Sequence, residues 1–301
     1  MARKCEQLLV PDRPNDCMAP SHEALWVESR LKFPVAAGVE ATPADIVAMS
    51  CVFVDLARSA ETAEQLALLA ASLRSVYVWR DCIGPGEPGR QLASALSFHD
   101  DDIGHAVLLL DDGAGAAVHP RPIIDALRPS SGAGAATSGL VVAVAAAPSA
   151  VARIRGIDGF VVAEPGRGAA VAAQLVSMFA ALLAPDVGLC MDQEDFAGAL
   201  GSASRPSRIV EAWWLAARDE LVFASTPDER TVAQATDVAA FVFSRQSTRT
   251  GPVVRAIRAS LDRAASVTFA EPIGLLVDAG ADDSRVLVRL LCGCDGHTGS
   301  D

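Results

Sequence analysis

The chain has 301 residues, 51% of them hydrophobic and 21% charged, enough for two modest domains with real cores and too apolar for a disordered polymer. Its formal net charge of −12 excludes nucleic acid as a partner, because phosphate binding needs concentrated cationic groups. Seven cysteines, an odd number placed mostly inside apolar runs such as 50–56, act as small hydrophobes and fit a reducing cytoplasm better than a disulfide framework.

Residues 1–30, with Pro11, Pro14 and Pro20 among mixed charges, read as a poorly ordered leader without the apolar stretch of a signal peptide. Strands and helices alternate from there. Short β-rich runs fall at 32–39 and 51–56. Residues 59–74 open with an acidic turn and carry apolar side chains at spacings of three and four, which predicts a helix. A strand is expected at 75–80, a short helix at 89–98 and a strand apolar throughout at 105–112. A helix at 120–129 and strands at 139–148 and 159–165 complete this half. Such alternation with near-continuous apolar strands predicts α/β architecture, a doubly wound parallel sheet over 31–168. Ligands of such sheets bind at the carboxyl ends of the strands, so the loops beginning at Gly38, Asp55, Gly84 and Asp111 are the ones of interest.

A helix apolar on every face follows at 169–184, about 25 Å long, which must be buried all round. Like the charge-poor stretch between Arg128 and Arg153, it is too small or too short to cross a bilayer. The central helix and the acidic loop behind it span 169–192, and 193–301 read as a smaller C-terminal α+β domain. There a helix is predicted over 207–221 with Trp213 and Trp214 toward the core, a strand over 237–244 and an amphipathic helix over 251–266. Two last strands, 267–280 and 284–293, are expected to pair across Ala281–Asp283. Cys292, Cys294 and His297 could hold zinc with Cys5 or Cys17, yet no paired Cys-x-x-Cys spacing supports it, and no metal is expected.

After the central helix the chain reads Cys190-Met191-Asp192-Gln193-Glu194-Asp195, and the segment 198–204 is made of small residues. This resembles the Asn-x-Asp-x-x-Asp loop of the tubulin/FtsZ superfamily, with both carboxylates in place and the Asn absent. Residues 266–293 resemble the closing strands of FtsZ. Residues 85–90 (Pro-Gly-Glu-Pro-Gly-Arg) resemble a phosphate-side loop of the family at Glu87, Gly89 and Arg90, and 107–117 resemble the strand leading into its glycine-rich loop. In their shared order these pieces cover roughly 32–294 and imply the tubulin/FtsZ fold: a Rossmann-like GTPase-type domain, a core helix and a smaller α+β domain.

The resemblance implies a GTP site at Gly38, Gly86, Gly89, Arg90, Gly113 and Gly115, with Asp192 and Asp195 as catalytic or interface acids reaching a neighbouring subunit's nucleotide. That site is degenerate. Glycine lets backbone N–H groups approach phosphate closely, but Gly38 stands alone after the first strand, and Asp111-Asp112-Gly113-Ala114-Gly115 replaces a longer glycine run. Two like charges about 4 Å apart repel by roughly 1 kcal/mol in water and about 4 near a protein surface, so Asp111 and Asp112 oppose a triphosphate unless they serve a bound magnesium, and the stretch reads equally as an ordinary turn after a strand. Where the family's Asp reads guanine, gap-free counting places Ala170 beside Ala169. Asp195 could equally cap the helix that follows.

Three readings stay open. The first is an FtsZ-like cytoskeletal or cell-division-related cytoplasmic protein, without cofactor or membrane anchor, that associates with itself or with an FtsZ-type filament. The second is an active, polymerising GTPase with rewritten loops and GTP as cofactor. The third is a Rossmann-type nucleotide-dependent enzyme, although no Gly-x-Gly-x-x-Gly follows the first strand and residues 84–89 are only a lookalike. The histidines are scattered, and His105 and His119 beside the altered loop read as structural.

Overall fold

A computed structural model describes residues 50–55, 76–80, 103–111, 121–128, 139–146, 155–182, 191–202, 204–243, 250–261, 266–271 and 285–294. The elements expected at 32–39, 59–74 and 89–98 lie outside the described residues.

Five parallel strands form the first sheet in the order β2-β1-β3-β4-β5. They are β1 (Ser50–Asp55), β2 (Val76–Arg80), β3 (Ile103–Asp111), β4 (Val141–Ala145) and β5 (Gly159–Val162). Why the sequence of β3 is apolar throughout follows from its period of two. Ala106, Leu108 and Leu110 pack with Ile123, Ile124 and Leu127 of helix α1 (Arg121–Leu127) on one face. Val107 and Leu109 turn to the other, against Leu175, Val176 and Phe179 of helix α2 (Gly168–Leu182).

The second sheet has the order β7-β6-β10-β8-β9, antiparallel except for the parallel pair β8–β9. Its strands are β6 (Arg208–Leu215), β7 (Glu220–Phe223), β8 (Ala235–Phe243), β9 (Ser266–Ala270) and β10 (Arg285–Cys294). Val238, Ala240 and Val242 of β8 face outward onto helices α4 (Thr226–Ala233) and α5 (Thr250–Ala259) through Val232, Val253 and Ile257. Ala239, Phe241 and Phe243 face inward onto α2 and the short helix α3 (Gln193–Ala199). Helix α2 therefore lies between two sheets, which is why it carries apolar residues all round.

The sheets are also joined by backbone. Phe160 donates its N–H to the Gly201 carbonyl at 2.8 Å, Ser207 donates to the Phe160 carbonyl at 2.9 Å, and Val162 donates to the Ser207 carbonyl at 2.9 Å. Segment 201–207 thus continues the edge of β5 and leads straight into β6.

Three expectations need correction. Residues 207–221 are not a helix: they form the β6–β7 hairpin, with Trp214 buried on the outer face and Trp213 half-buried on the inner one. Both faces of β6 are covered, so its apolar residues crowd together and imitate a helical stripe, while β-branched Ile209 and Val210 and the two Trp favour extended backbone. The amphipathic helix ends at Ala259, short of the expected 266, where β9 begins. Finally, β9 and β10 do not pair with each other, because β8 lies between them; residues 272–284 lie outside the described residues.

Candidate functional site

In the first sheet the chain leaves β1 for β2 on one side and returns to β3 on the other, so the strand order reverses between β1 and β3. A crevice at the carboxyl ends of two such strands is where open α/β sheets bind ligands. Here β1 ends at Asp55 and β3 at Asp111, so a carboxylate residue terminates each flanking strand. No glycine occurs between Asp55 and Gly84, so the sequence following β1 has none of the residues that let a backbone wrap phosphate. Gly38, Gly86, Gly89, Arg90, Gly113 and Gly115 lie outside the described residues.

Beyond β5 the chain passes through an exposed turn, Glu164–Arg167, in which Arg167 donates its N–H to the Glu164 carbonyl at 2.9 Å. Gly166, at φ 78°, supplies the left-handed backbone that this turn needs. Helix α2 starts at once with Gly168 and Ala169, both buried, and half-buried Ala170. None of the three has a side chain able to hydrogen-bond a base edge.

Asp192 and Asp195 are brought together at the N-terminus of α3. Asp195 donates its N–H to Oδ1 of Asp192 at 2.8 Å, and Asp192 returns its own N–H to Oδ2 of Asp195 at 3.4 Å, the reciprocal arrangement of a capping box. Both are exposed, as is Glu194. Phe196 anchors this helix, fully buried between Phe179 of α2 (centroids 5.0 Å apart) and Phe241 of β8 (5.9 Å). The other end of α3 touches the beginning of β5, where Leu200 packs on Gly159 so closely that a Cβ there would meet it at 2.8 Å. The C-terminal end of α3 thus meets the amino end of β5, while Asp55 and Asp111 stand at the carboxyl ends of β1 and β3.

Two titratable groups are sealed inside. His105 of β3 stacks on Phe179 at 4.3 Å and its Nδ1 accepts the Leu140 N–H at 3.0 Å; burial pushes its pKa down to about 4. Cys51 is buried and its thiol is pushed up to about 12, which removes it as a nucleophile. Cys292 is buried in β10, and Cys5, Cys17 and His297 lie outside the described residues. Among the described residues no group of three His, Cys, Asp or Glu side chains is placed to hold a metal, and no helix is long and apolar enough to cross a membrane.

One polar cluster has no counterpart in the sequence reading. Arg289 of β10 donates through Nε to Glu211 of β6 at 2.6 Å and through Nη1 to Ser177 of α2, and its guanidinium lies 5.2 Å from the Phe243 ring centre. Its only sequence signal is a single Arg in Val286–Leu291 and a single Ser in Leu175–Phe179, each alone in an apolar run.

No protein-family model matches the chain, and no curated protein matches it. Among solved structures it is similar to an FtsZ dimer, empty, from M. jannaschii, with a TM-score of 0.51 and 10% identity over 81% of this chain and 88% of that one. At that identity the likeness speaks for architecture alone, and the chain has an α/β fold of the FtsZ/tubulin type.

Proposed function

We propose that this chain is an FtsZ-like cytoskeletal, cell-division-related protein that associates with itself or with an FtsZ-type filament and uses no GTP. The observation that carries the reading is the switch point: Asp55 and Asp111 end the two strands that flank it, at the edge where a triphosphate bound to such a sheet would bring up to four negative charges. The sequence after β1 has no glycine before Gly84, and α2 opens with Gly168, Ala169 and Ala170, so neither stretch supplies the glycine-rich phosphate cradle or a base-reading side chain. What the molecule offers instead is surface. Its acidic α3 turn, with Asp192, Glu194 and Asp195 exposed, is the surface that such an association would use.

Equilibrium binding of labelled GTP, followed by sedimentation of the full chain alone and with FtsZ filaments, tests both halves of the proposal. The expected result is no saturable GTP binding and no turnover, with pelleting that ignores nucleotide. Saturable GTP binding overturns the first half. Failure to pellet under either condition overturns the second.

A further inference from the structure

Helix α2 presents an unusual problem of uniqueness. Its 15 residues include six alanines and one glycine, and it is apolar on the side of each sheet. Small side chains give a helix little relief, so packing against two apolar sheets distinguishes poorly between seatings that differ by a modest rotation about the axis. Polar contacts are more selective, because a buried donor or acceptor that loses its partner is penalised in every seating but one.

Ser177 is that polar contact. It is buried, its hydroxyl donates to the Gln174 carbonyl at 2.6 Å within the helix, and its oxygen accepts from Arg289 of the second sheet. Arg289 is itself held from behind by Glu211 and from the side by Phe243, so it cannot follow the helix if the helix turns. On the first-sheet side the next contact along is Phe179, stacked on His105 and touching Phe196 of α3. We infer that Arg289 is a positioning residue: its hydrogen bond to Ser177 selects one rotational seating of α2 between the two sheets, and through Phe179 and Phe196 fixes where the α3 turn lies. The inference stands whether or not the chain assembles.

Methyl-labelled methionine gives the readout, since the chain has five Met and Met178 adjoins Ser177 in the core. In the native protein Met178, assigned with a Met178→Leu variant, is expected as one sharp signal. Ser177→Ala and Arg289→Leu each remove the pin without adding a methionine, and in the latter Glu211, one-third exposed, takes water in place of Arg289. Losing a hydrogen bond to a charged group raises the population of an alternative seating roughly tenfold or more, so Met178 should split or broaden in both variants. Val176→Ala is the control. It truncates a fully buried neighbour and should lower the denaturation midpoint while leaving one Met178 signal. A single sharp Met178 signal in Ser177→Ala, whatever its position, or equal splitting in Val176→Ala, overturns the inference; Ser177→Ala decides it even if Arg289→Leu does not fold.

Discussion

Leu140 donates its N–H to Nδ1 of His105, so the ring is neutral with its proton on Nε2, and a second proton would have to displace that bond inside a buried stack. The unfolded chain takes up this proton near 6.5, the folded one only near 4. Between those values the unfolded state binds more protons, so stability is complete above pH 6.5 and falls as pH drops toward 4, by roughly 3 kcal/mol over the whole window. Urea midpoints measured from pH 7 to pH 5 should fall more steeply for the native protein than for His105→Gln, which keeps an acceptor but does not titrate. Parallel pH profiles would refute a neutral His105. Asp219 makes a second case at this scale. At φ 51° it occupies the left-handed region and accepts the Trp214 indole N–H at 3.2 Å. Asp219→Asn satisfies both demands and should change stability by less than about 0.5 kcal/mol, whereas Asp219→Ala loses the acceptor and strains the turn, for about 2 kcal/mol. Equal midpoints for the two variants would mean that the turn does not hold Trp214.

Among the elements, α3 separates two roles that sequence leaves mixed. Asp192 and Asp195 occur at the spacing of an interface loop and also at the spacing of a capping box, and one short stretch satisfies both patterns. Their side-chain oxygens cap the helix, while their charges are free to act outward. Asn preserves the first property and abolishes the second. Asp192→Ala should destabilise by about 1 kcal/mol and Asp192→Asn by little. If the turn is an interface that reads charge, the Asp192→Asn/Asp195→Asn double variant keeps the native midpoint and loses co-sedimentation; unchanged pelleting would leave capping as its whole role. How far elements could be read from sequence depended on how each is covered. The strand run Val107–Leu110 was legible because burial on both faces leaves no polar residue in it. The same property hid β6, where six apolar residues among eight suit a buried helix as well as a strand. Its β-branched start and the Arg218-Asp219 turn were the available signals. Pairing partners were less legible still: β9 lies beside β8 through the intervening α5, and nothing local in Ser266–Ala270 specifies that neighbour. At the candidate site, Asp55 and Asp111 were visible as strand ends, but that they flank the reversal of strand order is a property of topology.

For the whole molecule, the decisive question is whether its two sheets behave as one body or two. Core packing alone does not settle this, since α2 could remain with one sheet while the other peels away. The backbone splice bears on it directly. Ser207 donates its N–H to the Phe160 carbonyl and accepts the Val162 N–H on its own carbonyl, its hydroxyl donates to the Ala199 carbonyl at 2.8 Å, and its Oγ accepts the Gly201 N–H. The Ser202–Arg205 turn between these anchors is closed so tightly that a Cβ on Gly201 would lie 1.8 Å from the Arg205 carbonyl oxygen. That distance leaves no relaxation short of opening the turn, so Gly201→Ala must break the splice and expose the β5 edge. A cost above about 3 kcal/mol is expected from the lost hydrogen bonds and the backbone displacement together. Sheets that unfold as one in the native protein should then separate into two transitions, one followed by Trp213 and Trp214 fluorescence in a Trp26→Phe/Trp79→Phe background, since Trp79 lies in β2, and the other by amide exchange of Val142 and Val144. Coincident transitions at a lowered midpoint would assign the coupling to α2 and its aromatic contacts instead. A native midpoint would show that the turn at Gly201 can open without loss.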